Sequence, residues 1–194
     1  MSPEKIEIAK NEKAQVLQKF TRDSSARAIE RFGRGAAQIK EVSRRDDFIY
    51  GETLAFILVS GQELNLQFKI HFENDRMKAL VGESLGVPML QVIADQVEDF
   101  AREFCNLAGG ELVALLNSNS CQSSLSLPFI SSGLDELFFS DLNYPSETRD
   151  FWEIECSGSR FVCTSVIEIR DSVAFASRAI IVGNGEQDTD AVFF

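Results

Sequence analysis

The strongest periodic pattern in the chain is helical and covers residues 88–116. Apolar side chains recur three or four positions apart, the spacing that gathers them into one stripe along an α-helix. The members of this stripe are Ile93, Val97, Phe100, Phe104 and Leu107. Pro88 suits the first turn of a helix, while Gly109 and Gly110 permit a bend before a further turn at 112–116. The pattern predicts a long amphipathic helix with one buried face.

Two other segments have helical patterns. Apolar residues recur at near-helical spacing over residues 12–32, where Ser24 and Ser25 favour an interruption or fraying. A shorter helix is predicted over residues 76–85, with Gly86 at its end. We therefore expect an N-terminal helix and a short helix that precedes the long one.

A β-hairpin is predicted in the first half of the chain, and its second strand alternates strictly between apolar and polar residues. Residues 53–60 and 64–72 form the two strands, with Gly61 at the turn between them. His71 falls on the polar side of the alternation. We therefore expect one solvent-exposed face on the hairpin and an exposed histidine, rather than a ligand or a catalytic base.

Four further segments, all after the long helix, are predicted to be extended. They are 125–130, 136–142, 151–156 and 161–170. The order of helix, hairpin, helices and strands predicts an α+β fold, with long helices packed on a mostly antiparallel sheet. We expect a single domain over residues 1–171, followed by a C-terminal extension and polar tail over 172–194.

Composition narrows the range of functions. A chain of 194 residues with 44% hydrophobic content can build one substantial core. Its formal charge of −11, from 30 acidic and 19 basic residues, repels nucleic acid and anionic membranes. No segment reaches the roughly 20 apolar residues of a membrane span, and the first residues lack an apolar signal core. We expect a cytoplasmic protein that binds neither nucleic acid nor membrane.

The cysteines and the single histidine give no metal-binding spacing. The four cysteines contain no CxxC pair, and His71 is the only histidine. No familiar zinc motif can be assembled from these residues. We expect reduced, buried cysteines that act as small hydrophobes, no catalytic role for Cys105, and no metal belonging to this chain.

Three polar residues occupy one flank of the long helix. Asp99, Glu103 and Asn106 stand at i, i+4 and i+7, roughly 80 to 140° from the apolar stripe. About 0.7 Glu-xx-Asn pairs are expected by chance at this composition, so one such pair is weak evidence by itself. Its position on the helix is what makes it a candidate. Polar residues on an outer helix face are also ordinary. The trio is a candidate site because it shares a face just before a glycine pair.

The spacing Asp99-xxx-Glu103-xx-Asn106, with a glycine step after it, resembles the phosphatase motif of the CheC/CheX chemotaxis proteins. The order of predicted elements fits CheX-like proteins from about residue 12 to residue 171. Pro128 also matches a proline that is common in the strand after the family's motif. One copy of the motif is present, whereas CheC proteins usually carry two. The chain is therefore most similar to the single-motif CheX type.

This resemblance implies a protein phosphatase that hydrolyses the aspartyl phosphate of a CheY-type response regulator. By family analogy, Asn106 would orient the attacking water and Glu103 would pair with the regulator's active-site lysine. Asp99 would support them. The resemblance implies no cofactor of this chain, because Mg²⁺ is expected in the partner regulator. It also implies a homodimer joined through sheet edges.

Two other functions remain open. A noncatalytic adaptor of the same fold would bind a response regulator or a flagellar-switch component through the same helix face or the tail. A metabolic enzyme that uses His71 or a cysteine has less support, because the sequence contains no glycine-rich phosphate loop, Ser-His-Asp set or metal cluster. Substitution of Asn106 separates a phosphatase from an adaptor.

Overall fold

A computed structural model describes residues 2–32, 35–42, 51–135, 147–178 and 180–182. The helices that position the core are α1 (Pro3–Glu30), α2 (Asn74–Leu85), α3 (Ala94–Ser118) and α4 (Ser172–Ser177). The strands are β1 (Gln38–Glu41), β2 (Thr53–Gly61), β3 (Leu64–Phe72), β4 (Ser123–Leu125), β5 (Phe129–Ser132), β6 (Glu147–Cys156) and β7 (Ser159–Ile169). The strand predicted over 136–142 lies outside the described residues.

The strands form one antiparallel sheet in the order β1-β6-β7-β3-β2-β4, and β5 also pairs with β2. The predicted hairpin is confirmed, because Thr53 of β2 lies opposite Phe72 of β3. A second hairpin joins β6 to β7 through a tight turn, in which Ser157 and Gly158 both have positive φ. The structure thus confirms the α+β class with an antiparallel sheet.

The core lies between the sheet and the long helices. Helices α1 and α3 pack against each other, and they contact the sheet mainly at β6 and β2 respectively. Trp152 of β6 is fully buried, and its ring stacks on Phe68 of β3 at a centroid distance of 6.0 Å. The indole Nε1–H donates a hydrogen bond of 3.0 Å to the Ser25 hydroxyl of α1. This bond joins the first helix to the sheet without leaving a buried polar atom unsatisfied.

Helix α1 is longer than predicted and has no break. The predicted interruption at Ser24 and Ser25 is wrong, because both hydroxyls donate to carbonyls of the preceding turn. Ser24 Oγ lies 3.1 Å from the Thr21 carbonyl oxygen, and Ser25 Oγ lies 2.7 Å from that of Arg22. Both serines are buried. Their polar atoms are satisfied within the helix, so burial does not oppose helix formation.

The short helix α4 begins the segment that the sequence assigns to a C-terminal extension. Asp171 caps its N-terminus, accepting hydrogen bonds from two backbone N–H groups. Phe175 of α4 is fully buried, and Lys13 Nζ of α1 donates to its carbonyl oxygen at 3.1 Å. The guanidinium of Arg178 pairs with the buried Glu63. This part of the segment is therefore packed onto the core, and the domain boundary at residue 171 stays a prediction.

His71 is buried rather than exposed, so the prediction for this residue is wrong. Its exposed fraction is 1%, and the last three residues of β3 are all buried. The alternation of β3 therefore ends where both faces of the sheet are covered. The pKa of His71 is lowered to about 3, mainly by burial and to a smaller extent by the positive charge of Lys69.

We expect acid to destabilise the protein through His71. The pKa of this side chain is about 6.5 when unfolded and about 3 when folded, so the unfolded state binds the proton more readily. The stability that neutral, buried His71 contributes is complete above pH 6.5. It is lost as the pH falls from 6.5 toward 3. Relative to His71→Gln, wild type should lose about 2 kcal/mol of unfolding free energy from pH 7 to pH 5. Urea denaturation at both pH values measures this difference, and equal losses would contradict it.

No helix in the described ranges is long and apolar enough to span a membrane.

Candidate functional site

Helix α3 carries the candidate residues and begins later than predicted. Pro88 precedes a separate 3₁₀ turn, Met89–Gln91, instead of opening α3. Val92 and Ile93 then have extended backbone, which ends the turn before the helix starts at Ala94. The Gln96 side chain accepts a hydrogen bond of 3.1 Å from the Ile93 backbone N–H. This bond stabilises the helix N-terminus, where backbone donors lack partners inside the helix.

The further turn predicted at 112–116 is part of α3, which continues through Gly109 and Gly110 without interruption to Ser118. Gly109 faces the sheet. A Cβ atom built there would lie 2.7 Å from Leu125 Cδ1 and 3.2 Å from Ile57 Cγ2. A Cβ atom built at Gly110 would have no neighbour within 4 Å. Gly109 thus permits close packing of the helix on the sheet, whereas Gly110 fills no such role.

These surroundings predict different outcomes for two neighbouring alanine substitutions. Gly110→Ala should raise the unfolding free energy by about 0.5–1 kcal/mol, because glycine is unfavourable inside a helix and the new methyl group meets nothing. Gly109→Ala should give no such gain, since Leu125 and Ile57 must move to admit the methyl group. Denaturant titration of the two variants checks this, and equal gains would contradict it.

The predicted buried face of α3 is largely confirmed. Its buried residues are Val97, Phe100, Ala101, Phe104, Cys105, Ala108, Gly109, Leu112, Leu115 and Leu116. Leu107 is partly buried and packs against the same core. Ile93 is the exception, with 59% of its surface exposed, because it precedes the helix and does not share its face.

Asp99, Glu103 and Asn106 lie together on the outer face of α3, as predicted. Asp99 and Glu103 are exposed, and Asn106 is half-buried. Helix geometry separates Glu103 from Asn106 by about 4.5 Å along the axis, on the side opposite the core. The structure thus places a carboxylate and a carboxamide side by side on the outer side of α3.

The two residues between Glu103 and Asn106 fix this orientation. Phe104 is fully buried, and its ring meets those of Phe68 and Phe161 edge-on at 5.7 and 5.6 Å. Cys105 is also fully buried, and burial raises the pKa of its thiol far above the ordinary value. The thiol therefore stays protonated and is a poor nucleophile. Because these two side chains point inward, Glu103 and Asn106 must point outward.

The cations beside the outer face are engaged in ion pairs. Arg102 contacts Asp99 at 2.8 Å and Glu98 at 3.1 Å. Glu111 contacts Arg27 at 2.6 Å and Arg31 at 2.9 Å, which ties α3 to α1. Surface ion pairs of this kind contribute about 0–1 kcal/mol each. Their local effect is to hold long side chains in place around the trio.

Among the described residues, no hydrogen bond or ion pair engages the Glu103 carboxylate or the Asn106 amide. The same residues contain no group of three or more His, Cys, Asp or Glu side chains that can hold a metal ion. A free carboxylate and a free amide can bind a cation, donate and accept hydrogen bonds, and orient water. The pair can therefore bind and position a polar or charged ligand.

Sequence reasoning missed the ion pairs around the trio. The Glu98–Arg102 pair has i, i+4 spacing, so helix periodicity contained its signal. The contacts of Glu111 with Arg27 and Arg31 join residues 84 and 80 positions apart in the sequence. No local pattern indicates them, because they depend on how α1 packs against α3.

Comparison of the chain with protein-family models gives no match, and neither does comparison with curated proteins. Solved structures do match. A CheC-like superfamily protein from Shewanella sp. PV-4 has a TM-score of 0.62 at 16% identity, covering 78% of this chain and 97% of that one. Other CheX and CheC-like chemotaxis proteins are similar as well. This chain has the CheC/CheX fold.

Two further neighbours with this fold come from complexes. The CheX–CheY–BeF₃–Mg²⁺ complex from Borrelia burgdorferi matches with a TM-score of 0.55 at 9% identity, covering 77% of this chain and 96% of that one. The FliM–SpeE complex from H. pylori matches with a TM-score of 0.54 at 12% identity, covering 91% and 95%. The CheC/CheX-like fold predicted from the motif and the order of elements is thereby confirmed.

Proposed function

We propose that this chain is a CheX-like protein phosphatase that hydrolyses the aspartyl phosphate of a CheY-type response regulator in chemotaxis or related two-component signalling. The observation that carries this proposal is the pair Glu103 and Asn106, which faces outward from α3 of a CheC/CheX fold. A neighbour with this fold was solved as a CheX–CheY complex. The docking of a regulator on α3 is the simplest use of two outward-facing polar groups that the rest of the described chain leaves unengaged.

Asn106 is the residue to which we assign the chemistry. An aspartyl phosphate is held by its own protein's Mg²⁺ and lysine, so hydrolysis requires a water aligned with the phosphorus–oxygen bond that breaks. A carboxamide both accepts and donates hydrogen bonds, and it can orient such a water. It also carries no negative charge that would repel the phosphoryl group. Phe104 and Cys105 hold Asn106 on the exposed side of the helix.

Glu103 provides charge complementarity with the regulator. Its carboxylate lies one turn before Asn106 and projects from the same face, where it can pair with the regulator's active-site lysine. This contact would dock the helix and set the distance between Asn106 and the phosphoryl group. Glu103 is a clamp in this proposal, not a general base.

Asp99 has a supporting role. It pairs with Arg102, which also contacts Glu98. This arrangement neutralises the arginine one residue before Glu103, so that its charge does not compete with the regulator's lysine for Glu103. We therefore assign Asp99 to the electrostatics of the docking face.

We assign no cofactor to this chain, because the Mg²⁺ belongs to the regulator. We also propose a homodimer joined through sheet edges. Strand β1 is one edge of the sheet, and all four of its residues are exposed. An exposed edge has unpaired backbone groups that a second copy can bind.

The test is the rate of phosphate loss from a phosphorylated CheY-type regulator with Mg²⁺, measured with and without this protein. Wild type should accelerate the loss. Absence of acceleration with the cognate regulator would contradict the phosphatase proposal.

An adaptor of the same fold is the second candidate function. The similarity to the FliM–SpeE complex supports it, because that neighbour was solved as a complex of FliM with SpeE. An adaptor would bind a regulator or a flagellar-switch component without hydrolysis. Substitution of Asn106 would then leave its binding largely intact.

A further inference from the structure

We propose that Gly110 is the point at which a main-chain segment of the response regulator passes directly over α3. This inference rests on the docking part of the proposed function, and it holds whether docking leads to hydrolysis or not. It identifies Gly110 as a positioning residue, since the glycine lets the regulator come close enough for Asn106 to reach the phosphoryl group.

Gly110 belongs to the same outer face as the candidate residues. It follows Asn106 by four positions and Glu103 by seven, which places it within about 40° of Asn106 and about 6 Å further along the helix. The space above it is open, as no atom lies within 4 Å of a Cβ atom built there. Gly110 therefore forms a shallow notch beside the Asn106 side chain.

Nothing in the fold requires glycine at this position. Among the described glycines, only Gly86 and Gly158 have positive φ. Any residue can therefore adopt the backbone conformation of Gly110. Gly109 is needed for close packing on Leu125 and Ile57, whereas a Cβ atom built at Gly110 meets neither the sheet nor another helix within 4 Å. A glycine inside a helix weakens the helix. A partner that occupies the space of the missing side chain explains why a glycine stands here despite its destabilising effect, whereas the fold does not explain it.

The side chains around Gly110 keep the notch open. The next residue, Glu111, points toward α1, where Arg27 and Arg31 bind its carboxylate. Ala114, one turn further along the same face, is small and exposed. At Gly110 and Ala114 the outer face of α3 therefore carries no side chain larger than a methyl group. This shape fits a loop backbone better than a long side chain, because close approach of two backbones is what glycine permits.

The experiment measures the affinity of three variants for a beryllofluoride-activated CheY-type regulator with Mg²⁺. Gly110→Gln should weaken binding at least about tenfold, because the added side chain occupies the notch. Gly110→Ala should weaken it by a smaller factor while its melting temperature rises by about 2 °C. Ala114→Gln is the matched control and should lose less affinity than Gly110→Gln, since it adds a similar side chain one turn further from Asn106.

The outcomes separate this inference from the proposed function. If wild type binds and Gly110→Gln binds equally well, the inference is wrong and the proposed function stands. Equal losses for Gly110→Gln and Ala114→Gln would also overturn it, because the effect would not be specific to the notch. If wild type neither binds nor dephosphorylates the cognate regulator, the proposed function fails and this inference fails with it.

Discussion

Replacement of Asn106 by alanine should reduce the acceleration of aspartyl-phosphate hydrolysis by about a hundredfold or more. The side chain lies on the outer face of α3, and no hydrogen bond to the rest of the described chain depends on it. The variant should therefore fold like wild type and lose only the group that orients the water. The measurement is phosphate release from a phosphorylated CheY-type regulator with Mg²⁺ at saturating protein.

Two companion variants distinguish positioning from binding. Asn106→Asp keeps the size of the side chain but adds a negative charge, so it should be at least as impaired as Asn106→Ala. Glu103→Ala should mainly raise the concentration of phosphatase needed for half-maximal rate, because it removes a docking contact. Binding of each variant to the beryllofluoride-activated regulator provides the control. Unchanged hydrolysis by Asn106→Ala would exclude Asn106 as the water-positioning residue.

Replacement of Phe104 by alanine should lower the unfolding free energy by about 3–5 kcal/mol. Phe104 is fully buried and contacts the rings of Phe68 and Phe161, so truncation leaves a cavity between α3 and the sheet. The loss is large because the surrounding strands cannot collapse onto the empty space. Urea denaturation measures the change at constant pH.

Two controls test the origin of this loss. Phe104→Leu retains most of the volume and should lose less than half as much stability. Leu107→Ala, on the same helix but only partly buried, should also lose less. If Phe104→Ala proved as stable as wild type, then Phe104 would not anchor α3, and the outward orientation of Glu103 and Asn106 would need another cause.

The sequence predicted those parts of the molecule in which a pattern repeats over several turns or strand residues. The β2–β3 hairpin shows the expected pairing, and α3 buries the expected face with few exceptions. The candidate trio follows from the same periodicity, because its members occupy the side of α3 that the apolar stripe avoids. The order of these elements, together with the motif, was enough to predict the fold.

Local patterns failed where a residue's surroundings come from distant parts of the chain. Ser25 looked like a helix breaker, yet it lies inside α1 and accepts a hydrogen bond from Trp152, 127 positions away. The alternation of β3 predicted that His71 would be exposed, but its face of the sheet is covered. Such burial depends on which elements pack together, and the pattern of neighbouring residues does not contain that information.

Gly109 and Gly110 show most clearly the difference between what the sequence determines and what the tertiary structure determines. The sequence alone determined that a long amphipathic helix would present Asp99, Glu103 and Asn106 on one face, because helical periodicity is a local property. It could not tell Gly109 from Gly110, since both permit a bend equally well. Only the tertiary structure decided that α3 continues through both glycines, with Gly109 against Leu125 and Ile57 and open space at Gly110. The reason is physical: a glycine's role depends on what occupies the space where its side chain would be, and distant segments fill that space.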